Sequence, residues 1–139
     1  MKYLIFLLLM VNNVCLAGPY FDCLVKKNYD VTDDGALAVS VLSDYVVGKK
    51  FIVNRNSGHI SGCCGMRTPA HNLVLLKVIS YGDSNNNFKS IAVWEDQTQQ
   101  ITIKTITGFS GESAAEEKPF TALSSGRVLT GLCEEGYQS

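Results

Sequence analysis

The chain has 139 residues, 12 basic and 13 acidic, a formal net charge of −1, and 46% hydrophobic side chains. That near-neutral balance excludes a nucleic-acid binder, which needs clustered Lys and Arg against phosphates. The hydrophobic content excludes a disordered chain, and the length suits one domain able to bury a core of its own.

The first element is a secretory signal. Lys2 supplies the positive start, an apolar run follows from Tyr3 to Val11, and Cys15-Leu16-Ala17 precedes Gly18-Pro19. The run falls far short of the ~20 residues that span a bilayer. Residues 1–17 are therefore expected to be cleaved. Residues 18–139 are expected to form a single β-rich domain, secreted or periplasmic and soluble, with no stable membrane insertion. Losing Lys2 and Cys15 leaves 11 basic residues against 13 acidic ones, and four of the five cysteines. Lipidation at Cys15 is disfavoured, because Asn12-Asn13-Val14 lacks the small residue that belongs immediately before the cysteine.

Turn-forming clusters punctuate the rest at Asp33-Asp34-Gly35, Asn56-Ser57-Gly58, residues 82–87 and residues 108–111. Between them lie short segments rich in β-branched and aromatic residues. This rhythm predicts a small antiparallel sandwich or barrel of about 6–8 short strands, all-β or β-rich α+β. Tyr20 and Phe21 are expected to pack at the start of the first strand. Residues 37–47 alternate as a strand through Leu37, Val39 and Val41. The same residues also put Leu37, Val41, Leu42 and Tyr45 on one helical face, after Asp34 as cap and before Gly48 as stop, and a short helix is preferred. Residues 50–55 and 59–61 form a hairpin through a loop ending in Gly58, which accepts the left-handed backbone such a loop needs. Residues 73–81 are nearly all apolar and read as a buried strand broken by Lys77.

Residues 88–95 follow as a strand with Phe88, Ala92 and Trp94 on one face, Trp94 lying at the core edge. Residues 100–107 place Ile101 and Ile103 inward, with a bulge near Thr105. Residues 128–133 make the last strand. Residues 82–87 and 108–118 are loops suited to carry a contact surface.

Export makes disulfides available, and four cysteines allow three connectivities. Cys23 and Cys133 are the expected pair, joining the first strand to the last. The pairing of Cys63 and Cys64 stays open: a vicinal disulfide, one bond each to the other two, or free thiols. Adjacent α-carbons sit ~3.8 Å apart, below the ~4.4 Å lower end for ordinary disulfides, so a vicinal bond distorts the backbone and closes almost no loop. Free thiols would bring together His59, Cys63, Cys64, Met66 and His71, soft and borderline donors that suit copper as Cu(I). Adjacent cysteines lack the spacing of a structural zinc site.

Other motifs stop short. Asp30-Val31-Thr32-Asp33-Asp34-Gly35 opens like a calcium loop, but Val41 stands where the bidentate Glu belongs. Gly108-Phe109-Ser110-Gly111-Glu112 misses the final Gly of a serine-hydrolase elbow. Small periplasmic inhibitors of lysozyme are similar in size, β-richness and cysteine usage. Ser125-Gly126-Arg127-Val128-Leu129 departs from their signature loop at the aromatic, so the likeness is one of architecture. These readings point to a non-catalytic binding or interaction domain for a protein or small-molecule ligand. The alternative is a periplasmic copper-binding or thiol-redox protein centred on Cys63 and Cys64, and the third reading is a small exported enzyme or enzyme inhibitor.

Overall fold

The computed structural model describes residues 18–68, 71–82, 87–95, 97–103 and 117–136. They form β1 (Tyr20–Val31), β2 (Leu37–Val39), α1 (Ser43–Val46), β3 (Lys50–Asn54), β4 (Ile60–Gly62) and β5 (Leu73–Tyr81). Then follow β6 (Phe88–Trp94), β7 (Gln97–Ile103), β8 (Glu117–Ser124) and β9 (Arg127–Gly136). All pairings are antiparallel, in the order β4-β3-β1-β9-β8-β7-β6-β5, with β2 attached beside β1.

The turns impose much of this order. After β3, Asn54 Oδ1 accepts the backbone N–H groups of Asn56 and Ser57, both at 2.9 Å, and Gly58 then takes φ +76°. This side-chain-closed turn reverses the chain into β4. Between β8 and β9, Ser125 and Gly126 have φ +49° and +77°, the two positive values a tight two-residue hairpin requires.

Alternate residues of each strand point to one side, and those side chains make the core. Phe21, Cys23 and Val25 of β1 are buried with Phe51 and Val53 of β3, Ile101 and Ile103 of β7, Phe120 of β8 and Leu129 of β9. Phe21 lies 5.1 Å from Phe88, although β1 and β6 are four places apart in the sheet. Phe51 meets Phe120 edge-on at 5.2 Å across three places. Such contacts require the sheet to curl over its own concave face, giving a half-barrel.

Arg55 fastens one end of the curl. Its guanidinium lies 5.1 Å above the Phe21 ring and 3.4 Å from Glu135 Oε1, and it donates to the carbonyls of Tyr81 and Gly82. Glu135 Oε1 also stands 3.7 Å from Lys118 Nζ.

Two expectations are corrected, Asp34 as a helix cap and residues 73–81 as a buried strand. The short helix expected near residues 37–47 is present, preceded by a short strand. Residues 37–39 pair with β1, and only residues 43–46 make a helical turn, with Leu42 as an N-cap that makes no side-chain bond. The Asn28 carbonyl draws the segment to the sheet by accepting from Ser40 N and Ser43 Oγ, both at 3.0 Å. Asp34 is not the cap, because its carboxylate accepts from Thr32 Oγ1 and Ala36 N within its own turn, which lowers its pKa. The second correction concerns β5, which is a strand but an exposed one. Among the described residues it ends the sheet, with β6 on one side only. Among the described residues the strands number nine, because the three-residue β2 and β4 add to the longer ones. The bulge expected near Thr105 lies outside the described residues.

A real bulge falls in β1, where the register with β9 shifts between Val25 and Lys27, opposite Gly131. A Cβ built on Gly131 would stand 2.0 Å from the Leu24 carbonyl oxygen and 2.7 Å from the Phe120 ring. Both neighbours are fixed by the sheet and the core. Gly131→Ala is expected to lower unfolding stability by about 3 kcal/mol, the upper range for overpacking. Urea unfolding checks this, and a change near zero would contradict the close approach.

Candidate interaction surfaces

Cys23 and Cys133 are partners in the β1–β9 register, with their sulfurs at disulfide distance and neither residue accessible to solvent. The sulfurs of Cys63 and Cys64 are also at bonding distance, from each other. This second pair follows β4 on a loop where Gly62, Cys64 and Gly65 have φ +122°, +78° and +68°. Cys64 packs on the core, its Sγ 3.8 Å from the Val46 carbonyl oxygen of α1.

The soft donors are not gathered into one ligand set. Met66 is fully buried and its sulfur accepts a 3.1 Å hydrogen bond from Gln99 Nε2 of β7. His59 and His71 are both exposed on the surface. The Cys63 and Cys64 sulfurs lie at bonding distance from each other, and Cu(I) ligation would draw on the reduced pair. Among the described residues, no group of three or more His, Cys, Asp or Glu side chains is placed to hold a metal ion. Residues 63–68 instead act as a plug. Thr68 and Ile60 exchange two hydrogen bonds, Thr68 N to Ile60 O at 2.9 Å and Ile60 N to Thr68 Oγ1 at 2.8 Å, which hold Met66 over the core.

Two surfaces depart from the usual covering of an apolar core. The first is the excursion between β1 and β3, which leaves Val31, Leu37, Val39, Val41, Leu42, Tyr45 and Val47 exposed. Val41 is 89% accessible, Tyr45 77% and Val39 71%. A cleft of about 240 Å³ runs beneath it, walled by Lys26 and Lys27 at the β1 bulge and by Val39, Ser43 and Val47. Only Val46 of α1 turns into the core.

The second surface is β5. Its register with β6 shifts twice, between Leu73 and Leu75 and between Val78 and Ser80, so Val74 and Ile79 bulge out of the ladder. Cross-strand partners share a face. Leu76 and Val78, opposite Ala92 and Ser90, therefore look into the half-barrel, while Leu75, Lys77 and Ser80 look outward with Val93, Ile91 and Lys89. Val74, Leu75, Ile79 and Tyr81 are all exposed. Among the described residues no strand pairs with the outer edge of β5, and Arg55 takes only the Tyr81 carbonyl at its end.

No known family, curated protein or solved structure matches the chain. Among the described residues no helix is long and apolar enough to cross a membrane, and both cysteine pairs are at disulfide distance, which is compatible with export. Of the two loops expected to carry contacts, residues 83–86 and 108–116 lie outside the described residues, as do residues 1–17 and the elbow-like motif at 108–112. Lys118, at the end of the second loop, is a buried residue of β8.

The exposure of residues 31–47 is not legible in the pattern, because Leu37, Val39 and Val41 alternate like a strand while Leu37, Val41, Leu42 and Tyr45 share a helical face, and either period implies a covered side. In β5 the signal was Lys77, a charge of the kind that blunts sheet edges.

Accessibility separates the two cysteine pairs, since Cys23 and Cys133 are sealed and Cys63 and Cys64 are half-buried. Under a graded dithiol titration of the folded protein, Cys63 and Cys64 are expected to become alkylatable first. Peptide mapping after mass-tagged alkylation reads the order. Simultaneous labelling of all four would contradict the burial difference.

Proposed function

We propose that this protein is a secreted, non-catalytic binding domain that contacts a partner through the apolar excursion of residues 31–47. The supporting observation is the concentration of seven exposed large apolar side chains in that one stretch. A concentration of exposed apolar side chains of this kind marks an interaction site. Covering a Val or Tyr side chain at such a site gains about 1.5–3 kcal/mol where burial is complete. The half-barrel makes a rigid base for it. The Asn28 carbonyl holds residues 40 and 43 by backbone and hydroxyl bonds, so the side chains are presented without ordering a free loop.

A photo-reactive side chain at Tyr45, in the full chain expressed in an exporting bacterial host, is expected to give a discrete adduct. Val41→Asp should reduce its yield at least about tenfold, and a probe at Thr98, exposed on β7, should give none. Equal adducts from both positions would overturn the reading.

A thiol-redox role for Cys63 and Cys64 is the second reading. It is supported by Cys64, a non-glycine residue held in the left-handed region beside its bonded neighbour, in a half-buried loop. Such strain at a bond that closes no loop adds nothing to stability. Oxidation of a small dithiol that survives Cys63→Ser with Cys64→Ser would remove this reading.

A further inference from the structure

We infer that the open edge of β5 accepts an extended acidic strand from a partner protein, paired through the backbone. The surface differs from the apolar excursion, so its test fails or succeeds separately. A sheet edge offers a row of peptide N–H and C=O groups, and an added strand satisfies them while its alternate side chains meet the flanking ones. Here the edge runs along a nine-residue strand with no strand beside it among the described residues, and apolar Val74, Leu75 and Ile79 stand exposed along it.

Charge selects the occupant. Lys77 lies on the outward face of β5 opposite Ile91, and Lys89 lies on the same face opposite Ser80. Neither lysine takes part in an ion pair among the described residues. A second copy pairing along the whole of β5 about a two-fold axis would set Lys77 against Lys77, and like charges directly opposite destabilise a strand pair. A carboxylate at the same position gains from Lys77, and Lys89, one strand further in, adds positive charge to the same outward face. Lys77 thus rejects self-pairing and favours an acidic strand, in keeping with the use of edge charge against aggregation.

The probe is an acetylated seven-residue peptide of alternating valine and threonine with a central glutamate, compared with its central-lysine twin. Fluorescence anisotropy with the disulfide-intact full chain should show saturable binding, tighter for the glutamate peptide by about fivefold to tenfold, the scale of reversing a cross-strand charge pair. Lys77→Glu, at an exposed position, should invert that preference. N-methylation along one edge of the peptide should abolish binding, because it removes the donors that face β5. Amide shifts in the NMR spectrum should concentrate at residues 73–79. Equal affinity for the two peptides, or binding retained by both of the singly edge-methylated peptides, overturns the inference. So does a concentration-dependent dimer that Ile79→Lys dissolves, since the occupant would then be a second copy.

Discussion

The pairing of β1 with β9 carries the architecture. Ten positions of the two strands face each other, from Tyr20 with Gly136 to Asp30 with Arg127, and Cys23 meets Cys133 within the ladder. These strands come from opposite ends of the folded region, and the cysteines are 110 residues apart in sequence. Bringing such distant segments together is costly in chain entropy before any contact rewards it. A bond across that separation removes up to ~4.7 kcal/mol of that cost in the chain-entropy treatment. Every other strand is attached on one side or the other. β3, β4 and the short β2 hang from β1, and β8, β7, β6 and β5 follow from β9 in a meander.

A sheet assembled outward from its middle has two free ends, and the molecule treats them unequally. The β3–β4 end folds inward: the loop after β4 places Met66 in the core and bonds it to Gln99, while Arg55 grips the end of β5, Glu135 and the face of Phe21. The β5 end is held at Tyr81 and Gly82, and among the described residues no strand pairs with the rest of its outer edge. The bulge at Val25 with Gly131 opposite it turns Lys26 and Lys27 out to solvent and returns Asn28 to the interior, where its carbonyl anchors residues 40–43. One extra residue in β1 thus helps to position the apolar excursion.

How much of this could be read beforehand follows from the range of the forces involved. Strand rhythm, the Asn54–Gly58 turn and the inward facing of Ile101 and Ile103 are local consequences of residue type, and they were legible. Phe88 and Ala92 on one face were legible for the same reason, since strand alternation does not depend on the partner. The exposure of β5 was not, because Leu73 to Tyr81 would look the same in a central strand. Only the order of strands makes it an edge. The split of residues 37–47 was hidden likewise, since the Asn28 carbonyl that captures Ser40 and Ser43 belongs to another strand. Cys63 and Cys64 left their pairing open in sequence, and Met66 leaves the donor set because Gln99, 33 residues on, holds its sulfur.

Residue-resolved hydrogen exchange of the disulfide-intact protein tests this division most directly. Amides of residues 21–25 and 129–133 should exchange only through global unfolding, while the β5 amides that do not point at β6 should exchange orders of magnitude faster. Protection along the whole of β5 equal to that of β1 would contradict an open edge, and fast exchange in residues 21–25 would contradict the β1–β9 pairing as the anchor of the fold.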